Sequence, residues 1–273
     1  MKITLAQKSF STNDIELNVN KIIDAAHQAK GSSLVVFPEL AVCGMNPYGH
    51  LSDDGFVGRC EMALDRIAAE CEHVPVLVGC PLRNTSGKGK PFYNAAVYLF
   101  QGQRKVFKKK QLGLSDRREL EFFEPSDDDE LLQVGCHKFA VTIGEDLYNI
   151  GEDELLLQNR VDDFMPSLPD VIVNIASEQF DPQDITAYRD KLRQNVLKTE
   201  RPLVHVNNVG KNDGKIYGGH SMVFGYESYV VASSPFLKED VNNVDLVCLI
   251  SMKHVDVEDV PSSEDIESLV RRL

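Results

Sequence analysis

Phe139-Ala-Val-Thr-Ile-Gly-Glu-Asp-Leu-Tyr148 changes character at its midpoint. Phe139 to Ile143 is a short apolar run, the pattern of a buried strand, and Glu145-Asp146 with the apolar pair behind it can open a helix. Turns from strand to helix hold catalytic groups at the carboxyl edge of an α/β sheet. The turn lifts one side chain clear of the layers and leaves backbone N–H groups pointing outward. The apex residue here is Gly144, which has no side chain to present. The turn is therefore either structural or a site without its reactive group.

The chain on either side repeats the strand-then-helix rhythm. Lys2 to Ala6 reads as a first strand. Asn13 or Asp14 then caps a helix with Ile15, Val19, Ile22, Ile23 and Ala26 at helical spacing, which Gly31 ends. Leu34-Val-Val-Phe37 is continuously apolar, as in a strand buried on both faces, and runs into Pro38-Glu39-Leu40. An isolated Glu39 is more often a solvated loop acid than a general base at the sheet edge. Phe56, Cys60, Leu64, Ile67 and Cys71 mark a second amphipathic helix, and Val74 to Pro81 a third strand. Phe92 to Phe100 with Arg104 to Lys108 reads as a β-hairpin. It runs into Lys108-Lys-Lys110, ordinarily a solvated patch, although one lysine at a strand end can point inward toward Glu39. Glu119 to Glu130 reads as a polar loop anchored by Phe122-Phe123.

Beyond the apex turn, Glu152 to Met165 suggests a helix, Val171 to Ile175 a buried strand and Asp184 to Lys198 another helix. Pro202 to Gly210 is a strand that carries His205 as a hydrogen-bonded core histidine. Gly218 to Phe224 and Ser228 to Ser233 form an antiparallel pair, and Ser262 to Leu273 fits a short terminal helix. Strands alternating with helices, with hairpins between them, indicate a layered α/β sandwich treated as one domain over residues 1–273.

Twenty-nine basic against forty-two acidic side chains give a net charge of −13, which argues against nucleic acid or a membrane as partner. A small molecule or a protein is expected instead. The six cysteines are dispersed without a CxxC pair, and Met1-Lys-Ile-Thr-Leu5 reads as a strand rather than a leader, so the expected location is cytoplasmic. The seven histidines show no ligand spacing, so neither a metal nor a cofactor is expected.

Three strand ends thus carry Phe37-Pro-Glu-Leu40, Phe107-Lys-Lys-x-x-Leu112 and Ile143-x-Glu-Asp-Leu-Tyr148. Together they resemble the carbon–nitrogen hydrolase (nitrilase) superfamily, whose members present a Glu, a Lys and a Cys in that order. The Glu-Asp-Leu-aromatic turn is most similar to the glutamine-hydrolysing domain of glutamine-dependent NAD synthetase, as are Val206-Asn-x-Val-Gly210, Asp213 and Gly219-His-Ser221. The resemblance implies a four-layer αββα sandwich that assembles into homo-oligomers. It also implies amidase chemistry on a small amide or carboxylate ligand, in which a thiolate attacks the amide carbon. A carboxylate relays the proton and an ammonium holds the oxyanion. Carried over, Glu39 takes the base position and Lys109 the lysine, with Lys108 and Lys110 as fallbacks, and Glu119 is the supporting carboxylate. Glu145, Tyr148 and Ser177 fall on the substrate wall, although Asn174-Ile-Ala-Ser-Glu178 lacks the family's Ser-Pro ending.

The family's nucleophile position falls on Gly144. Loss of a covalent nucleophile typically removes many orders of magnitude in rate. The chain also lacks the Ser-Gly-Gly-x-Asp-Ser loop with which the synthetase half binds ATP, so an ammonia-consuming synthetase would be a partner. Three readings stay open: a non-catalytic binding or assembly subunit, a slow amidohydrolase using water in place of the thiol, and an enzyme whose cysteine has been exchanged for glycine.

Overall fold

Alternation within single strands dictates the layering. In β2 (Leu34–Val36), Leu34 and Val36 pack in the same core as Val141, Ile143, Val173 and Val206, whereas Val35 packs with Ile22, Ile23 and Ile67. Successive strand side chains point to opposite faces, so a strand buried on both sides lies between two layers. The computed structural model describes residues 1–53, 55–114, 116–147, 163–181, 185–212, 214–250 and 268.

The first sheet has the order β14 (Asp240–Asp245), β1 (Lys2–Gln7), β2, β3 (Val76–Arg83), β4 (Phe92–Phe100), β5 (Gln103–Lys108). The β1–β2–β3 pairs are parallel, and β14, β4 and β5 add antiparallel edges. Helices α1 (Ile15–Gln28) and α2 (Phe56–Glu70) cover its outer face through Val19, Ile22, Leu64 and Ile67. Each such side chain contributes about 1.5–3 kcal/mol by leaving water. Asp14 caps α1 by accepting from the Leu17 amide at 3.1 Å. Cys60 and Cys71 are buried there, as the helical spacing predicts.

The second sheet has the order β13 (Val230–Ser233), β12 (Met222–Phe224), β9 (Leu203–Asn207), β8 (Val171–Ala176), β7 (His137–Ile143), β6 (Leu132–Val134). Helix α4 (Ile185–Thr199) closes its outer face, with Leu192 and Val196 against Ala140, Ile172 and Leu203. The resulting sequence of layers is α, β, β, α, as expected. A separate hairpin, β10 (Val209–Asn212) with β11 (Lys215–Gly218), follows β9. The expected helices over 152–165 and 262–273, like Tyr148, lie outside the described residues, apart from 163–164, which are helical, Met165, which opens a 3₁₀ turn, and the single helical residue 268.

Besides the β10–β11 hairpin and strand β14, which the sequence reading did not contain, two elements around the acidic stretch differ from it. The acidic stretch opens with a short helix, α3 (Glu119–Phe122), because Glu119 is drawn into the interior. Leu132–Val134 pairs antiparallel with β7 and turns at Gly135, whose φ of +61° suits glycine. No described helix is long and apolar enough to cross a membrane.

Candidate active site

Glu39 follows β2 and is brought inward by a close approach of two backbones. A Cβ on Gly79 in β3 would stand 2.3 Å from the Leu40 nitrogen and 2.5 Å from the Pro38 oxygen, so only glycine lets the Glu39 segment lie there. The Gly79 amide donates to the Pro38 oxygen at 3.2 Å, and its carbonyl accepts from Val42 at 3.1 Å. From the other side, Ser177 Oγ and Asn208 Nδ2 each donate to the Glu39 carbonyl at 3.0 Å. Glu39 is thus fixed at its peptide before its carboxylate meets anything.

The carboxylate Oε1 accepts from Asn94 Nδ2 at 2.7 Å and from Lys109 Nζ at 2.9 Å. Lys109 follows β5, with its amide on the Asn94 carbonyl at 2.8 Å, and its ammonium reaches Glu119 Oε1 at 2.9 Å and pairs closely with Glu145. Of the three lysines, Lys109 is the one in this cluster. Lys108 pairs with Asp128 and Lys110 with Asp163, both acids that water reaches. Glu119 is held at its other oxygen by the Gly113 amide at 3.0 Å.

Exposure is 5% or less for Glu39, Lys109, Glu119 and Glu145, so their charges act on one another with little screening. Burial pushes the Glu39 carboxyl from 4.5 up to about 8, opposed by the Lys109 ammonium and reinforced by Glu145 and Glu119. Burial disfavours the Lys109 ammonium, yet the attraction of Glu119, Glu145 and Glu39 outweighs it and holds the lysine charged. The three carboxylates bring oxygens within 4.8 Å of one another, a spacing that suits a cation, and Lys109 supplies one.

Gly144 opens a 3₁₀ turn, Gly144–Leu147, directly after β7, with φ +50°. A Cβ at Gly144 would lie 3.0 Å from both Glu39 Oε2 and Lys109 Nζ. The apex of the turn therefore faces the Glu39 carboxyl and the Lys109 ammonium.

Asp146 ties the turn to the lysine. Its Oδ1 accepts from the amides of Lys110 at 3.0 Å and Gln111 at 2.8 Å, and its Oδ2 accepts from Ile143 at 3.0 Å. Behind the turn, Asn174 Nδ2 donates to the Gly144 carbonyl at 3.1 Å, and Asn174 Oδ1 accepts from His205 Nδ1 at 2.9 Å. That leaves His205 Nε2 to accept the Tyr188 hydroxyl at 2.6 Å. Burial lowers the His205 pKa to about 3, so it is a neutral core histidine, as its strand placement predicts.

Asn94, Asp146 and Asn174 were not among the expected site residues. A buried asparagine in an otherwise apolar strand is a readable signal, since an uncompensated amide inside a core is costly. Asp146 belongs to the Glu-Asp-Leu-aromatic turn, but its bonds to the Lys110 and Gln111 amides span 36 and 35 residues, and no local pattern shows them.

A cavity of about 70 Å³ opens on this cluster and is lined by Glu39, Lys109, Glu119, Glu145 and Ser177, with Asp116, Lys215 and Tyr217 farther out. Glu145, expected on the substrate wall, is at once a wall residue and a partner of Lys109. The Ser177 hydroxyl is engaged with Glu39 and accepts from Asn208 at 2.7 Å. Asp116 pairs with Arg118 at 2.6 Å, the main cause of its carboxyl falling to about 2, and reaches Lys215 at 3.4 Å. None of the described cysteine side chains lines the cavity. The Cys43 thiol is buried on the Leu40 carbonyl, and Cys136 is exposed at the far end of β7.

Carbon-nitrogen hydrolase is the family whose profile matches, over residues 2–150. The glutamine-dependent NAD(+) synthetase of Synechocystis sp. is 30% identical over 250 residues, covering 88% of this chain and 45% of that protein. Its Aquifex aeolicus counterpart is 26% identical over 259 residues, covering 90% and 42%. The chain thus spans less than half the length of these relatives. The structure of the Acinetobacter baumannii glutamine-dependent NAD+ synthetase superposes with a TM-score of 0.78 at 24% identity, covering 93% of this chain and 48% of that one. A Nesterenkonia amidase of the nitrilase superfamily gives 0.77 at 19% identity and 90% of both chains. On these likenesses the chain belongs to the carbon–nitrogen hydrolase family, and within it is close to the nitrilase-type domain of glutamine-dependent NAD synthetases.

Proposed function

We propose that this chain is an amidase-type domain, built for a small primary amide such as glutamine, in which Gly144 occupies the nucleophile position and turnover is lost or severely impaired. The observation that carries the reading is the convergence of Glu39 and Lys109 on the outer face of Gly144. Glu39, with its carboxyl raised to about 8, is suited to take a proton from an attacking group and return it to departing ammonia. Lys109, held charged by three carboxylates, would stabilise a tetrahedral oxyanion. Glu119 and Asn94 orient these two groups rather than react. Ser177 and Glu145 form the wall, and Asp116 with Lys215 offers opposite charges at the mouth for the ends of a zwitterionic substrate.

Covalent catalysis needs a thiolate at the apex, and glycine supplies none. A second reading is a non-catalytic subunit that binds a ligand or assembles with an ammonia-consuming synthetase. The tight approach of Glu39 and Lys109 to Gly144 favours it, because the ends of both side chains must shift by a few tenths of an ångström to admit a Cβ there. The two readings separate in one assay of ammonia release from glutamine and a panel of small amides, run on the chain and on its Gly144→Cys variant. Activity in the variant alone supports a site lacking only its nucleophile. Silence from a folded variant that still binds glutamine supports the non-catalytic role.

A further inference from the structure

Tyr48 lines the Glu39 cavity with a hydroxyl that the fold itself leaves unused. Its ring is pinned by three neighbours. Phe122 stacks on it with centroids 6.4 Å apart, Phe123 meets it edge to face at the same distance, and the Arg118 guanidinium lies 4.7 Å from the ring centroid. Arg118 is itself held, by Asn46 Oδ1 at 2.8 Å and by both oxygens of Asp116. Phe122 ends α3, whose first residue is Glu119, so one short helix sets both the supporting carboxylate and the back of the tyrosine.

Tyr48 is only 9% exposed, yet no hydrogen bond reaches its hydroxyl among the described residues. The oxygen is not one of the polar atoms sealed away from water, so it keeps an open face, and the cavity is the space that Tyr48 borders. Glu39, Asp116, Glu119, Glu145 and Glu178 line the same cavity, and the pinned ring keeps the hydroxyl off all of them. Packing alone would be served as well by phenylalanine, whereas a phenol without a partner inside a cavity is a donor held ready for an acceptor that enters it. Burial, reinforced by the Glu119 carboxylate, pushes its proton affinity well above the ordinary tyrosine value, so it stays a donor at neutral and alkaline pH.

We propose that Tyr48 is a ligand-binding residue whose hydroxyl donates to the oxygen of a neutral carboxamide in the Glu39 cavity and so selects an amide over a carboxylate. The role rests on the amidase-type reading of this cavity. A volume of about 70 Å³ takes on the order of five groups the size of a water at ~10–15 Å³ each, enough for a carboxamide with one or two carbons behind it. Charge decides which kind of oxygen is accepted. The five lining acids stand against Lys109 and Lys215, with Arg118 at the ring as a third cation, and acids remain in excess even with Glu39 protonated at neutral pH. A carboxamide oxygen accepts the phenol without adding charge, whereas the carboxylate left by hydrolysis is disfavoured at the same place.

The test is a titration of the full chain with acetamide at pH ~7, followed by the ¹³Cζ signal of Tyr48 and by saturation transfer to the acetamide methyl protons. The expected result is a saturable shift at Tyr48 with a dissociation constant on the order of 1–10 mM. Tyr48→Phe keeps the ring among Phe122, Phe123 and Arg118, so it should fold with little change in thermal stability. It should bind acetamide about three- to tenfold more weakly, the loss expected for one hydrogen bond to an uncharged group. Acetate should bind the unaltered chain at least about tenfold more weakly than acetamide. Equal acetamide binding by Tyr48→Phe, acetate binding as tightly as acetamide, or no saturable shift up to about 100 mM would each overturn the proposal. Binding is read without turnover, so the two failures separate. Ammonia release by Gly144→Cys together with equal acetamide binding by Tyr48→Phe sinks the Tyr48 role alone, whereas Tyr48-dependent binding with a silent Gly144→Cys sinks turnover and supports the role.

Discussion

Replacing Lys109 with methionine keeps most of the side-chain volume and removes the ammonium that stands among Glu39, Glu119 and Glu145. With the ammonium in place, burial already lifts Glu39 from 4.5 to about 8. Without it the opposing attraction is gone, and the buried Glu39 carboxyl is driven further toward its protonated form. Removing one partner of a buried ion pair costs about 3–5 kcal/mol. The folded state then holds protons that the unfolded chain releases above its carboxylate pKa of 4.5, so stability is greatest below that value and falls as pH rises toward and through about 8. The variant should therefore lose about 3–5 kcal/mol at pH ~8 and only ~1–2 kcal/mol at pH ~5.5, where protons replace the ammonium. Urea unfolding followed by circular dichroism at both pH values measures this, with Lys108→Met as control. Lys108 meets Asp128 at 2.9 Å near the surface, and its loss should cost under about 1 kcal/mol at either pH. An equal loss for Lys109→Met at both pH values, or a loss at high pH no larger than the control's, would refute the reasoning.

Three further outcomes are expected. Asp146→Ala frees the amides of Lys110, Gln111 and Ile143, and should cost about 3–4 kcal/mol with faster amide exchange at 110 and 111; unchanged exchange there would contradict its role as the tie between turn and lysine. Gly79→Ala drives a Cβ to 2.3 Å from the Leu40 nitrogen and should destabilise by about 2–4 kcal/mol in denaturant unfolding; a cost below ~1 kcal/mol would mean the Glu39 segment is not held by that contact. His205, with its pKa lowered to about 3, should keep neutral ring signals by NMR from pH ~8 to ~5. A histidine that excludes a proton on folding stabilises above the unfolded value of 6.5 and loses that contribution as pH falls toward about 3, so titration near 6.5 would contradict its burial.

Layering was legible in the sequence because continuous apolar runs such as Leu34 to Phe37 can be satisfied only between two covers. The inward lysine was legible in principle from alternation, since Phe107 is buried in the inter-sheet core and Lys109 falls two residues on, on the same side. Glu119 was harder, because an acidic stretch ordinarily reads as solvated and only the ammonium 2.9 Å away explains a buried carboxylate there. The partnership of Asn174 with Gly144 joins residues 30 positions apart on neighbouring parallel strands, and no local pattern encodes it. Gly79 looks like any glycine in a strand until the Glu39 segment is laid across it.

The central claim is that Gly144 faces a base and an oxyanion-stabilising ammonium in a site that lacks only a thiol. Incubating the Gly144→Cys variant and the unaltered chain with fluoroacetamide, then mapping adducts by peptide mass spectrometry, tests the claim directly. The account predicts an acetamide adduct at position 144 of the variant, formed much faster than at any other cysteine of either chain. A folded variant that reacts no faster at position 144 than at exposed Cys136 would contradict it.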